Sequence, residues 1–108
     1  MADHPLSTLG KIDPDMMKLL KDQDEFIYGN GALPKKIKLL IALAFDAAHG
    51  AQNGVSALAN AAIQEGATQQ EIAETLRVAY HLAGVGTLYT ASMGLKDVIR
   101  QDPLLQKK

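Results

Sequence analysis

Apolar side chains recur at helical spacing in five successive stretches of this chain and never alternate with period two, so the pattern predicts helices and no strand. Residues 1–12, with Pro5 and Gly10, read as an irregular leader. Asp13-Pro14 then predicts a helix start, because aspartate caps free amides and proline suits the first helical position. Met16, Met17, Leu20 and Ile27 repeat along one side, with Lys21, Asp22 and Asp24 outside, until Gly29-Asn30-Gly31 ends the helix. A second helix opens at Pro34. Ile37, Leu40, Ile41 and Ala44 form one stripe and Leu39 and Leu43 another, so this helix is apolar on most sides. In so small a domain that means a central helix or one covered by a second subunit.

Gly50 marks the end of that helix, and a third runs from about Ala51 or Gly54 to Glu65. It carries Val55, Leu58, Ala62 and Ile63 on one side, and Ala57, Ala59 and Ala61 permit close approach of neighbours. Gly66 stops it. Thr68-Gln69-Gln70-Glu71 reads as a capping box, in which the threonine oxygen accepts from the Glu71 amide and the glutamate reaches back. The fourth helix follows, with Ile72, Leu76, Ala79 and Ala83 on one face, up to a break at Gly84-Val85-Gly86. The fifth carries Leu88, Tyr89, Ser92, Leu95 and Ile99, and residues 102–108, with Pro103 and Lys107-Lys108, read as a tail.

Composition narrows the function. The 108 residues suit one domain, and 47% hydrophobic with 21% charged residues is ordinary for a soluble protein. A net charge of -1 without a basic stripe argues against nucleic acid as partner; the Lys35-Lys36 and Lys38 cluster reads as a solvated helix start. The apolar run from Leu39 to Ala48 is broken by Asp46 and falls short of the roughly 20 residues a membrane span needs. The first residues lack an apolar core of a signal peptide, so the expected location is cytoplasmic. There is no cysteine, which excludes disulfide chemistry and cysteine-based zinc sites. The three histidines lack metal-ligand spacing, so no metal and no cofactor is expected; His4 lies in the leader and reads as incidental.

Four stretches together carry a resemblance. They are Lys38-Leu39-Leu40-Ile41-Ala42-Leu43-Ala44, Ala61-Ala62-Ile63-Gln64-Glu65-Gly66-Ala67-Thr68, Glu71-Ile72-Ala73-Glu74-Thr75-Leu76-Arg77-Val78-Ala79 and Ala83-Gly84-Val85-Gly86-Thr87-Leu88-Tyr89. They resemble the AhpD-like, or carboxymuconolactone decarboxylase, family over about two thirds of the chain. The resemblance implies a single all-α, AhpD-like helical bundle of about five to six helices that assembles with itself, as a trimer or hexamer. It also implies one of two activities: thiol-dependent antioxidant chemistry through a Cys-x-x-Cys pair with a nearby Glu and His, or decarboxylation of a muconolactone. The segment that holds the pair in redox members here has Ala51 and Gly54, with Leu58 in place of the downstream His. Lys38-Leu39-Leu40 offers no carboxylate where those members keep a glutamate. Any activity must therefore run on oxygen and nitrogen groups.

Asp46 and His49 are the first candidates for such chemistry. They stand three apart at the end of the second predicted helix, hence on one face, and Asn53 joins them if the turn at Gly50 folds back. A carboxylate orienting an imidazole is a general-base arrangement. The alternative is a structural pair in which His49 offsets Asp46 and the helix dipole. An acid at a helix C-terminus is electrostatically unfavourable, so Asp46 asks for a reason. Arg77 and His81, four apart on the fourth predicted helix, and Tyr89 are candidates for binding a small acid; solvated or packed structural roles are the alternative. Three functions follow: binding or transforming a small organic acid or lactone, with a carboxy-lyase as one form; a degenerate member of the antioxidant branch without thiol chemistry of its own; or a non-catalytic oligomeric scaffold.

Overall fold

Six helices, α1 (Ser7–Ile12), α2 (Pro14–Tyr28), α3 (Lys35–Ala48), α4 (Gln52–Gln64), α5 (Gln69–Ala83) and α6 (Gly86–Gln101), make up the computed structural model, which describes residues 6–101. No strand occurs among the described residues. His4, the rest of residues 1–5 and the tail from 102 lie outside them, as does the side chain of Ile99. The leader is not irregular throughout: residues 7–12 form α1, which buries no residue and runs straight into the cap of α2. There the Asp13 carboxylate accepts from the Met16 amide at 3.1 Å, with Pro14 at the first helical position.

Helices α3 to α6 form the bundle, with α4 packed between α3 and α6 and α5 closing against α3 and α6. The core consists of Leu39, Leu40, Leu43 and Ala47 from α3, Val55, Ala59 and Ala62 from α4, Ile72 and Leu76 from α5, and Ala91 and Val98 from α6. Fully burying a Leu, Ile or Val side chain contributes about 1.5–3 kcal/mol each. α1 packs on α2, and α2 meets the bundle at α3 without burying any residue of its own. Asn30 joins the two by accepting the Lys35 amide at 2.7 Å, a side-chain cap at the start of α3.

The α4–α5 connection forms the capping box read from the sequence. Thr68 Oγ1 accepts the Glu71 amide at 3.0 Å, and Glu71 Oε1 accepts the Thr68 amide at 2.9 Å. The Thr68 amide, followed by the Lys36 ammonium at 3.0 Å, holds the Glu71 carboxyl below its ordinary value of 4.5.

In α6 the buried face is built mainly from small residues, with Leu95 packed at its edge. Thr87, Ala91, Gly94 and Val98 turn inward, while Leu88, Tyr89 and Ser92 are exposed. The reason is a close crossing. A methyl group built on Gly94 would stand 2.7 Å from the Gln52 carbonyl oxygen and 2.7 Å from the Val55 side chain, so α6 meets the first turn of α4 at van der Waals distance. Only small residues fit such a seam, and large apolar ones are excluded from it.

Candidate functional site

The candidate site lies where α3 hands over to α4. α3 ends in a left-handed glycine motif: the Ala51 amide donates to the Asp46 carbonyl at 2.9 Å and the Gly50 amide to the Ala47 carbonyl at 3.4 Å. Gly50 has φ 81°, a conformation that side-chain-bearing residues rarely adopt. This reversal brings the first turn of α4 back over the last turn of α3. Ala51 precedes α4 and supplies no side-chain cap of its own.

Asp46 occupies the space so created. The three atoms nearest to a methyl built on Gly54 all belong to Asp46: Oδ2 in outright overlap, Cγ at 2.7 Å and Cβ at 3.4 Å. The carboxylate therefore lies in the first turn of α4, against a residue with no side chain. A negative charge is unfavourable at the C-terminus of α3, whereas the start of α4 is the end of a helix that favours one.

Tyr28, the last residue of α2, is the member of this region that sequence reasoning did not single out. It is half-buried against the core. Burial first, then the charges of Asp24 and Asp46, push its hydroxyl above the ordinary 10.0. It is thus a protonated hydrogen-bond donor at neutral pH, within the field of Asp46. Tyr28 lines a groove of about 380 Å³ with Ile27, Lys38, Ile41, Ala42 and Phe45. The Lys38 ammonium, 2.7 Å from the Gly29 carbonyl oxygen, stands at its rim. A second, apolar groove of about 290 Å³ between α3 and α5 shares Ile41 and Phe45 with the first and adds Thr75 and Val78.

The other sequence candidates are exposed. His49 is the C-terminal cap of α3 (φ -94°, ψ 3°) and is exposed, its ring 6.1 Å from that of Phe45 at 52°. Among the described residues no hydrogen bond or ion pair joins it to Asp46. Asn53 is exposed in the first turn of α4. Arg77 and His81 are exposed on α5, and Tyr89 is 72% exposed on α6; none of the three lines either groove. Ala51 and Leu58 are half-buried, Leu58 packing on the core. Among the described residues no group of three or more His, Cys, Asp or Glu is arranged to hold a metal ion, and no helix is long and apolar enough to cross a membrane.

The architecture defines the class first: an all-helical bundle whose sequence has no sulfur nucleophile. The family model for the carboxymuconolactone decarboxylase family matches residues 14–95, and the chain belongs to that family. A carboxymuconolactone decarboxylase family protein from Legionella pneumophila, solved in its apo form, is similar in structure. It is 28% identical, with a TM-score of 0.78, over 84% of this chain and 81% of that one. A search of curated proteins finds no significant match.

Proposed function

We propose that this chain binds, and by proton transfer transforms, a small organic acid or lactone at the α3–α4 turn, with Asp46 as its proton acceptor. The observation that carries this reading is the seating of the Asp46 carboxylate against Gly54. Asp46 lines neither groove, but its charge reaches Tyr28, and the groove that Tyr28 lines, apolar with one neutral hydroxyl and one ammonium, suits a ligand that is apolar in body and oxygenated at one end. In a carboxy-lyase step, Tyr28 would donate to the carbonyl that takes up the electrons as carbon dioxide leaves. Asp46, having taken a proton from water, would pass it to the carbon that loses carbon dioxide. Lys38 would offset the ligand's own carboxylate. His49 and Asn53 would then serve the mouth of the site, and Arg77, His81 and Tyr89 would contribute only if a neighbouring subunit brought them to it.

The test is thermal-shift screening of the pure protein against small carboxylic acids and lactones. At least one is expected to raise the melting temperature of the wild type. Asp46→Asn, near-isosteric but neutral, is expected to lose most of that shift while keeping the fold. An equal shift in both proteins would remove Asp46 from the reading.

One feature favours a structural role beside or instead of this one. Ile41, Phe45 and Val78, which line one groove, are 44%, 60% and 63% exposed in the single chain, and Leu82 and Tyr89 are 80% and 72% exposed. Self-association covers such a surface, and light scattering is expected to give a mass that is a multiple of 11.6 kDa. An oligomer that no screened ligand stabilises would favour the scaffold reading. A degenerate member of the antioxidant branch would be without that branch's thiol chemistry, since the chain has no cysteine.

A further inference from the structure

We propose that Gly54 is the specificity-determining position of this site: the missing side chain admits the Asp46 carboxylate into the first turn of α4, and so commits the turn to carboxylate chemistry and against thiol chemistry. As a functional statement this rests on Asp46 being the reacting group, but the coupling of the two residues stands on geometry alone.

The three nearest atoms to a Cβ at position 54 are all from Asp46, and two of them are closer than a real Cβ contact permits. Any side chain there must turn the carboxylate out of the helix, although Asp46, with its Cβ at 3.4 Å, stays next to the position. The reverse also holds. With the carboxylate removed, the closest remaining Asp46 atom is its Cβ at 3.4 Å, an ordinary contact. Position 54 lies inside α4, where alanine is preferred to glycine on backbone grounds. The glycine is therefore an unfavourable residue for its helix, and accommodation of Asp46 accounts for it.

The charge has a second consequence. A thiol at position 54 would ionise beside a carboxylate, and a neighbouring negative charge disfavours the thiolate, which is the reactive form. Cysteine at 54 would be a slower nucleophile while Asp46 is charged. Size and charge thus act together, so the residues at 46 and 54 behave as one unit.

Two measurements test this, neither of which depends on a ligand. In the first, Gly54→Ala is made in the wild type and in Asp46→Ala. It is expected to raise the melting temperature of Asp46→Ala by a few degrees, as the preference for alanine in a helix dictates, and to raise that of the wild type distinctly less or not at all, because there the carboxylate must leave the turn. The same sign and size in both backgrounds would overturn the proposal. If Gly54→Ala alone does not fold, recovery of the fold by added Asp46→Ala supports the proposal, and failure to recover overturns it. In the second, Gly54→Cys supplies the only thiol in the chain, since the natural sequence has no cysteine. Its alkylation by iodoacetamide at pH 7 is expected to be about tenfold faster when Asp46→Asn is added, the equivalent of one unit of thiol pKa. This readout answers to charge, and a merely structural role for Asp46 would not move it. Equal rates would overturn the proposal. Intact coupling in both measurements, with no ligand that distinguishes Asp46→Asn from the wild type, would fault the proposed function and leave this inference standing.

Discussion

Leu43→Ala is expected to destabilise the fold by about 2–5 kcal/mol, read from chemical denaturation of the purified protein. Leu43 has no exposed surface and lies on the inward face of α3, the helix that touches α2, α4, α5 and α6. Its removal deletes buried methyl groups and leaves a cavity that the neighbouring helices can only partly fill. Small domains are stable by about 5–15 kcal/mol in total, so the loss is a large share. A loss below about 1 kcal/mol would mean that α3 is not at the centre of the bundle.

Gly94→Ala is expected to cost about 1–3 kcal/mol by the same measurement, against the helix preference for alanine of about 1 kcal/mol. The added carbon would meet the backbone oxygen of Gln52 and the branched side chain of Val55, both at 2.7 Å. Neither yields easily, since one is main chain and the other is fully buried. Relief requires α6 to move off α4. That movement disturbs the first turn of α4, where Gly54 receives Asp46, so the same variant is expected to weaken any ligand-induced shift. A stabilised Gly94→Ala would show that the α4–α6 seam is looser than described.

The ends of the helices were legible because their signals are local. Asp13-Pro14, Gly50, Gly66 and the Thr68–Glu71 box each act within a few residues, and each does in the structure what its chemistry dictates. α1 was not legible: six residues are too few to show a period, and Pro5 and Gly10 suggest irregular chain. The register of α6 is not legible from its large apolar residues, since Leu88 and Tyr89 are exposed while Leu95 packs on the core. The inward face holds Thr87, Ala91 and Gly94, and this choice is set by a neighbouring helix.

The candidate site divides in the same way. The spacing of Asp46 and His49 predicts a shared face only while the helix continues, and His49 is already its cap. Asp46 was recognisable as misplaced for its own helix, but the reason is the start of the next helix, which depends on how Gly50 turns the chain. Gly54 was noted as lacking a thiol; that its lack of any side chain makes room for a carboxylate is a tertiary fact. Tyr28 carried no signal at all, since nothing near it in the chain indicates that the charge of Asp46 reaches it.

The seating of Asp46 is open to direct observation in solution. In a nuclear Overhauser spectrum of the labelled protein, the Hβ protons of Asp46 are expected to give strong cross-peaks to the Hα protons of Gly54, eight residues away, as the 3.4 Å approach of Asp46 Cβ to the Cβ direction of residue 54 requires. Absence of those cross-peaks, with Asp46 in a rotamer directed to solvent, would contradict the account.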